Sequence, residues 1–178
     1  MSKAQLLLAE YQALKDEQKA RIGFRDNLLY VTLGAVVTAL IAGMQFRIAS
    51  ALLVLPVICL ILGWTYLAND EKISAIGRYV SGSLTSRLAD SVSAEASETD
   101  LFAWEKFHQA DERRKSRKIF QCGIDLTCFC LIPFAALVGY WLSPEPIGLL
   151  ILASVLEAIA ILLLGWQMLI YARTHFGD

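Results

Sequence analysis

The chain alternates two kinds of stretch: apolar runs long enough to cross a lipid bilayer, and polar stretches in which apolar residues recur at helical spacing. Residues 27–44 and 51–67 are each just long enough to cover a hydrocarbon core of about 30 Å at about 1.5 Å per residue. Residues 119–142 and 147–172 form a second pair of apolar runs. Tight turns at 45–50 and 143–146 join the members of each pair, and two prolines in the second turn end a helix there. The pattern predicts an all-α membrane protein with four transmembrane helices arranged as two hairpins, 26–67 and 119–172, plus a small cytoplasmic helical region.

The polar stretches supply that region. Residues 1–25 place Leu7, Tyr11, Leu14 and Gln18 at spacings of 4, 3 and 4, one stripe of an amphipathic helix. Residues 68–118 form the longest polar stretch and must lie wholly on one side of the membrane. There Asn69 or Asp70 is read as the N-cap of a helix carrying Ile73, Ile76, Val80, Leu84 and Leu88. A loop is expected at 91–98. Thr99 or Asp100 then caps a helix with Leu101, Trp104 and Phe107 on one face, continuing through the basic run 113–118 into the third span. Residues 173–178 make a short cytoplasmic tail.

Orientation follows from Lys and Arg: five precede the first span, one lies in the first tight turn, nine between Ala68 and Lys118, none in the second turn and one in the tail. That asymmetry puts both termini and the middle stretch inside. The aromatics agree, with Tyr30, Trp64, Tyr66, Trp166 and Tyr171 near the inner interface and Tyr140 and Trp141 near the outer one. The acids Glu10, Asp16 and Glu17 argue against a transit peptide, and the first apolar run is too long for a signal-peptide core, so the N-terminus is expected to be retained.

Composition narrows the function. At 178 residues, 56% hydrophobic and 19% charged, the chain is too apolar for a soluble domain of this size. A net charge of −1 argues against nucleic acid as a partner. Cys59, Cys122, Cys128 and Cys130 fall inside apolar runs, where cysteine behaves as a small hydrophobe.

The intramembrane acids Asp125 and Glu157 carry most of the chemical information. Placing an ionised carboxylate near the bilayer centre costs about 2.5–3.5 kcal/mol on insertion scales, so both should face protein or water. Glu157 has Ala153, Ser154, Ala160 and Ile161 at helical neighbours, and the first span offers Ala35, Ala39 and Gly43 at intervals of four with Thr38 beside them. Similar depth predicts a close pair of first and fourth spans, with a hydrogen bond between Thr38 and Glu157. Asp125 lies nearer the inside, about 10 Å along the axis from Glu157, and Gln121 and Gln167 are its expected neighbours. Two acids at different depths without an intramembrane Lys, Arg or His read as polar glue rather than a proton relay.

Other chemistry is weaker still. Glu105 and His108 at i and i+3, with Asp111 and Glu112 beyond, resemble half of a carboxylate metal site, but the second Glu-x-x-His copy is missing and a solvated face is the better reading. Ser and Cys lack a nearby His, His175 sits in the tail, and the glycines show no phosphate-loop spacing. A non-enzyme without cofactor or metal is expected.

Residues 25–33, RDNLLYVTL, then 60–80, LILGWTYLANDEKISAIGRYV, together with Trp104-Glu105 and the basic lead into the third span, resemble a family of small uncharacterised bacterial four-span membrane proteins. The resemblance covers most of the chain and implies a bacterial inner membrane, with no particular activity.

Two function classes fit: an oligomeric membrane anchor or interaction module with a cytoplasmic docking region, and an oligomeric channel or membrane-disrupting effector of the kind found in antiphage defence. Besides the lipid bilayer, a homo-oligomer and a soluble cytoplasmic protein are the expected partners. Leu7, Tyr11, Leu14, Trp104 and Phe107 are the expected contacts, since the three adjacent leucines Leu6 to Leu8 exceed one helical stripe. Reporter fusions after Asp178 and within 91–98 should both report cytoplasm, and one within 45–50 the outside. An external signal at 91–98 would overturn this topology.

Overall fold

The computed structural model describes residues 2–46, 49–91, 114–144 and 148–174. Every regular element among them is helical. In chain order these are α1 (Lys3–Phe46), a tight 3-10 stretch (Ala49–Leu53), α2 (Val54–Tyr79), a wide π turn (Val80–Leu84), α3 (Thr85–Ala89), α4 (Arg114–Leu126), a second π turn (Thr127–Leu131), α5 (Ile132–Trp141) and α6 (Gly148–Thr174). Four of the described stretches are long and apolar enough to cross a membrane: Lys3–Gly43, Ala49–Ala89, Ser116–Trp141 and Gly148–Arg173. The expectations at 92–113, including the caps Thr99 and Asp100, the contacts Trp104 and Phe107 and the group around His108, lie outside the described residues, as does His175.

Two boundaries differ from the sequence reading. The N-terminal polar helix and the first span are a single helix, α1, which opens on a capping box: the Gln5 amide N–H donates to Ser2 Oγ at 3.2 Å and the Ser2 N–H to Gln5 Oε1 at 2.9 Å. Nor do Asn69 and Asp70 start a helix, because α2 runs through both to Tyr79. Their side chains are engaged across the helix pair instead of capping.

The chain divides into two compact units, one of Met1–Arg25 with Asn69–Arg114 and one of Asp26–Ala68 with Lys115–Asp178. In the first, the beginning of α1 pairs antiparallel with the end of α2. Leu7, Val80, Leu84 and Leu88 form its core, with Ala4, Tyr11, Leu14 and Ile76 packed around them. The stripe Ile76, Val80, Leu84, Leu88 advances by fours, and each such step overshoots an α-helical turn by about 40°. The π turn takes up that drift, so that Val80, Leu84 and Leu88 are all buried. Thr85 donates its hydroxyl to the Val80 carbonyl at 2.7 Å, across the widened turn.

The second unit is built from three apolar clusters. Val36, Leu55 and Cys59 join α1 to α2, with Ala39 against them. Leu28, Tyr66, Cys128, Phe129, Leu164 and Met168 form a second, and Leu53, Leu137, Tyr140, Ala158 and Ile161 a third. Pro56 sits in the first turn of α2, where a missing N–H costs nothing. Pro133, by contrast, falls inside the third span. It lacks the N–H that would bond the Phe129 carbonyl, and its ring crowds that carbonyl. The π turn lies immediately before it, with the Ile132 N–H donating to the Thr127 carbonyl five residues back.

Large apolar side chains also cover this unit's outside, among them Ile61, Leu149, Leu152 and Leu163, each about three-fifths exposed or more. A water-soluble domain rarely presents such a surface, whereas lipid solvates it. Among the described glycines the closest approach is at Gly63, where an added Cβ would stand 2.8 Å from Leu164 Cδ2 and 3.0 Å from the Phe129 Cβ. Gly63→Val is therefore expected to destabilise by about 1–3 kcal/mol, while Gly34→Ala, with nothing within 4 Å, leaves stability nearly unchanged. Thermal unfolding in detergent micelles checks the pair, and equal midpoints would contradict the packing.

Candidate functional site

Among the described residues, two polar constellations remain after the apolar packing is accounted for, one in each unit. In the apolar unit, Gln121 and Asp125 stand one turn apart on α4, and Gln121 Nε2 donates to Asp125 Oδ1 at 2.9 Å. The same amide nitrogen donates to the Tyr66 hydroxyl of α2 at 2.6 Å. Tyr66 is only 2% exposed, its ring set against Phe129 at 5.2 Å between centroids. The amide thus ties the acid of one helix to the phenol of another. Sequence spacing indicates the Gln121–Asp125 pair through the i, i+4 rule; Tyr66, 55 residues from Gln121, carries no such signal.

The rest of the expected membrane site is not assembled. Thr38 donates its hydroxyl to the Gly34 carbonyl at 2.8 Å on its own helix, so no Thr38–Glu157 bond forms. Ala35, Ala39 and Gly43 are half-buried, but Ala39 packs with Val36, Leu55 and Cys59, and the space at Gly43 faces Leu52. That face serves the contact with α2 and the 3-10 stretch, not the fourth span. The fourth span packs on the third through Ala158 and Ile161 against Leu137 and Tyr140. Its Ser154 accepts from Trp141 Nε1 and donates to the Ile151 carbonyl, both at 2.7 Å. Gln167 is exposed on α6. Glu157 Oε2 is buried without a hydrogen-bond partner among the described residues.

The polar unit holds the other constellation. Asn69, 6% exposed, donates from Nδ2 to the Arg21 carbonyl at 2.7 Å and accepts from Arg21 Nη1 at 3.3 Å. Arg21 also reaches Glu17 at 2.6 Å, Arg25 pairs with Asp70 at 2.8 Å, and Gln18 Nε2 donates to the Ile73 carbonyl at 3.3 Å. Further along, the Tyr79 hydroxyl donates to Glu10 Oε1 at 2.6 Å and accepts from Arg87 Nη1 at 2.9 Å. The hydrogen bond to Glu10 pushes the phenol above its ordinary pKa. Such pairs fix the register of the two helices more than they stabilise them.

Of Leu7, Tyr11 and Leu14, expected to contact a partner, Leu7 is 3% exposed and used up inside the chain, while Tyr11 and Leu14 pack half-buried against the same stripe from Ile76 to Leu88. Their neighbours Leu6 and Leu8, at 56% and 47%, are the leucines left outside. The described residues contain no group of three or more His, Cys, Asp or Glu placed to hold a metal ion.

Compared with known proteins, the chain matches no family model, no curated protein and no solved structure. What the fold defines is an all-helical, multi-pass membrane protein.

The two intramembrane polar groups should respond oppositely to removal. Gln121→Leu takes a donor from Asp125 and a partner from Tyr66, and is expected to lower stability by about 1–3 kcal/mol. Glu157→Met removes an unpartnered carboxyl and should leave stability equal or higher. Thermal midpoints of the purified variants check both, and a Glu157→Met loss as large as that of Gln121→Leu would contradict the assignment.

Proposed function

We propose that the protein is a non-enzymatic oligomeric anchor in a bacterial inner membrane, its polar helix pair serving as a docking module on the cytoplasmic side, where both termini lie. The supporting observation is the contrast within the polar unit. Its helices are registered by specific pairs, from Arg25–Asp70 to Glu10–Tyr79, yet Leu6 and Leu8 stand exposed on either side of the buried Leu7. A registered scaffold that keeps leucines in water is suited to present them to another protein surface.

The spans favour anchoring over conduction. Thr32, Thr38, Thr65, Thr127 and Ser154 each return their hydroxyl proton to a carbonyl of their own helix. Hydroxyls satisfied in this way need no water file. One observation favours the channel or effector reading: the unpartnered Glu157 carboxyl oxygen, a group that water or a second chain could serve.

Mass measurement of the detergent-purified chain tests the proposal, alone and as the double variant Leu6→Glu, Leu8→Glu, which changes exposed positions and leaves Leu7 in place. The expected result is an oligomer for the native chain and a smaller species for the variant. A monomeric native chain contradicts the anchor reading, and ion efflux from vesicles reconstituted with the native chain would favour the channel.

A further inference from the structure

Glu157 is an acid that the packing does not account for. It stands on α6 within a stretch apolar enough to span, and its Oε2 is enclosed without a hydrogen-bond partner among the described residues. Polar glue between helices needs a partner to hold. Asp125 is tied through Gln121 to Tyr66 of α2, but nothing among the described residues ties Glu157. Ser154, one turn before it, already donates to the Ile151 carbonyl and accepts from Trp141.

A counter-charge is missing as well. Residues 27–44, 51–67, 119–142 and 147–172 contain no Lys, Arg or His. The cluster built around its neighbours Ala158 and Ile161 adds Leu53, Leu137 and Tyr140, with Cys130 at its edge, and none of these side chains can carry positive charge. Negative charge at Glu157 is therefore cancelled either by a proton or by a cation from outside the chain.

The surroundings select the kind of cation. A hard inorganic ion such as Ca²⁺ exchanges its water for about 6–8 oxygens. The span hydroxyls Thr32, Thr38, Thr65, Thr127 and Ser154 are each committed to a carbonyl of their own helix, and the described residues hold no group placed to bind a metal ion. One carboxyl among leucine, isoleucine and alanine suits the opposite kind of ion, an organic cation whose charge is already wrapped in hydrocarbon and which needs a single counter-charge. Such an ion dissolves in the bilayer and arrives from the side. Glu157 is only half-buried, and Ala153 and Ala160, about one turn before and after it, are too short to cover it.

We infer that Glu157 is a binding site for a hydrophobic organic cation, an alkyl- or aryl-substituted ammonium or phosphonium, that enters from the lipid and takes the place of the carboxyl proton. The O–H bond breaks, the proton passes to bulk water, and the carboxylate pairs with the cation, so the site is neutral before and after. It lies within one chain and does not depend on the oligomeric reading above.

Calorimetric titration of the detergent-purified full chain with tetraphenylphosphonium tests it, with empty micelles as background and proton release followed in weakly buffered solution. The native chain is expected to bind a single cation saturably and to release one proton as it does so. Glu157→Gln and Glu157→Met should each weaken binding about tenfold or more, while Asp125→Asn retains it; thermal midpoints show that each variant is folded. No saturable binding to the native chain, undiminished binding by the folded Glu157 variants, a loss as deep in folded Asp125→Asn, or equal displacement by sodium chloride overturns the site. Any of these results leaves the mass measurement, and with it the oligomeric reading, untouched.

Discussion

Inside hydrocarbon a peptide group finds no water, so a chain that crosses must pair its backbone with itself, and the α-helix does this within one segment. Everything else in this protein is an accommodation to that constraint. The helices α1 and α2 do not stop where their sequences turn from apolar to polar. They continue, and the antiparallel pairing that joins Val36 to Leu55 and Cys59 in one unit recurs as Leu7 against Val80 and Leu84 in the other. The same two helices therefore pack through leucine and valine in lipid and through leucine, arginine and carboxylate in water.

Where the sequence strains a regular helix, the helix widens rather than breaks. Pro133 would leave the Phe129 carbonyl crowded and unpaired, and the turn before it opens to five-residue bonds. A run of apolar residues spaced by fours would drift off the buried face, and the turn at Val80–Leu84 corrects it. Hydroxyls follow the same economy, each bonding the carbonyl one turn back. Within the spans the described hydroxyls thus satisfy themselves locally, which leaves Glu157 Oε2 as the buried exception among the described residues.

Much of this was legible in the sequence. Apolar length marked all four spans, helical spacing marked the stripes on Leu7 and on Ile73 to Leu88, and i, i+4 placement joined Gln121 to Asp125. The misreadings share one physical origin. Asn and Asp in mid-helix look the same as Asn and Asp at a cap, because either can bond a backbone group; only the opposing Arg21 and Arg25, more than 40 residues away, distinguish them. Thr38 offered a partner to Glu157 by depth, but a carbonyl on its own helix is always nearer. Leu7 read as a surplus leucine because the stripe that buries it lies far along the chain.

The central claim is that α1 is one helix across the change from polar to apolar sequence. Hydrogen–deuterium exchange of the chain in lipid vesicles, resolved to the amides of residues 18–34, tests this most directly. The account predicts protection that rises toward the apolar side without a gap, including residues 23–27. Exchange at the rate of an unstructured peptide within 23–27 would contradict it and restore two separate helices.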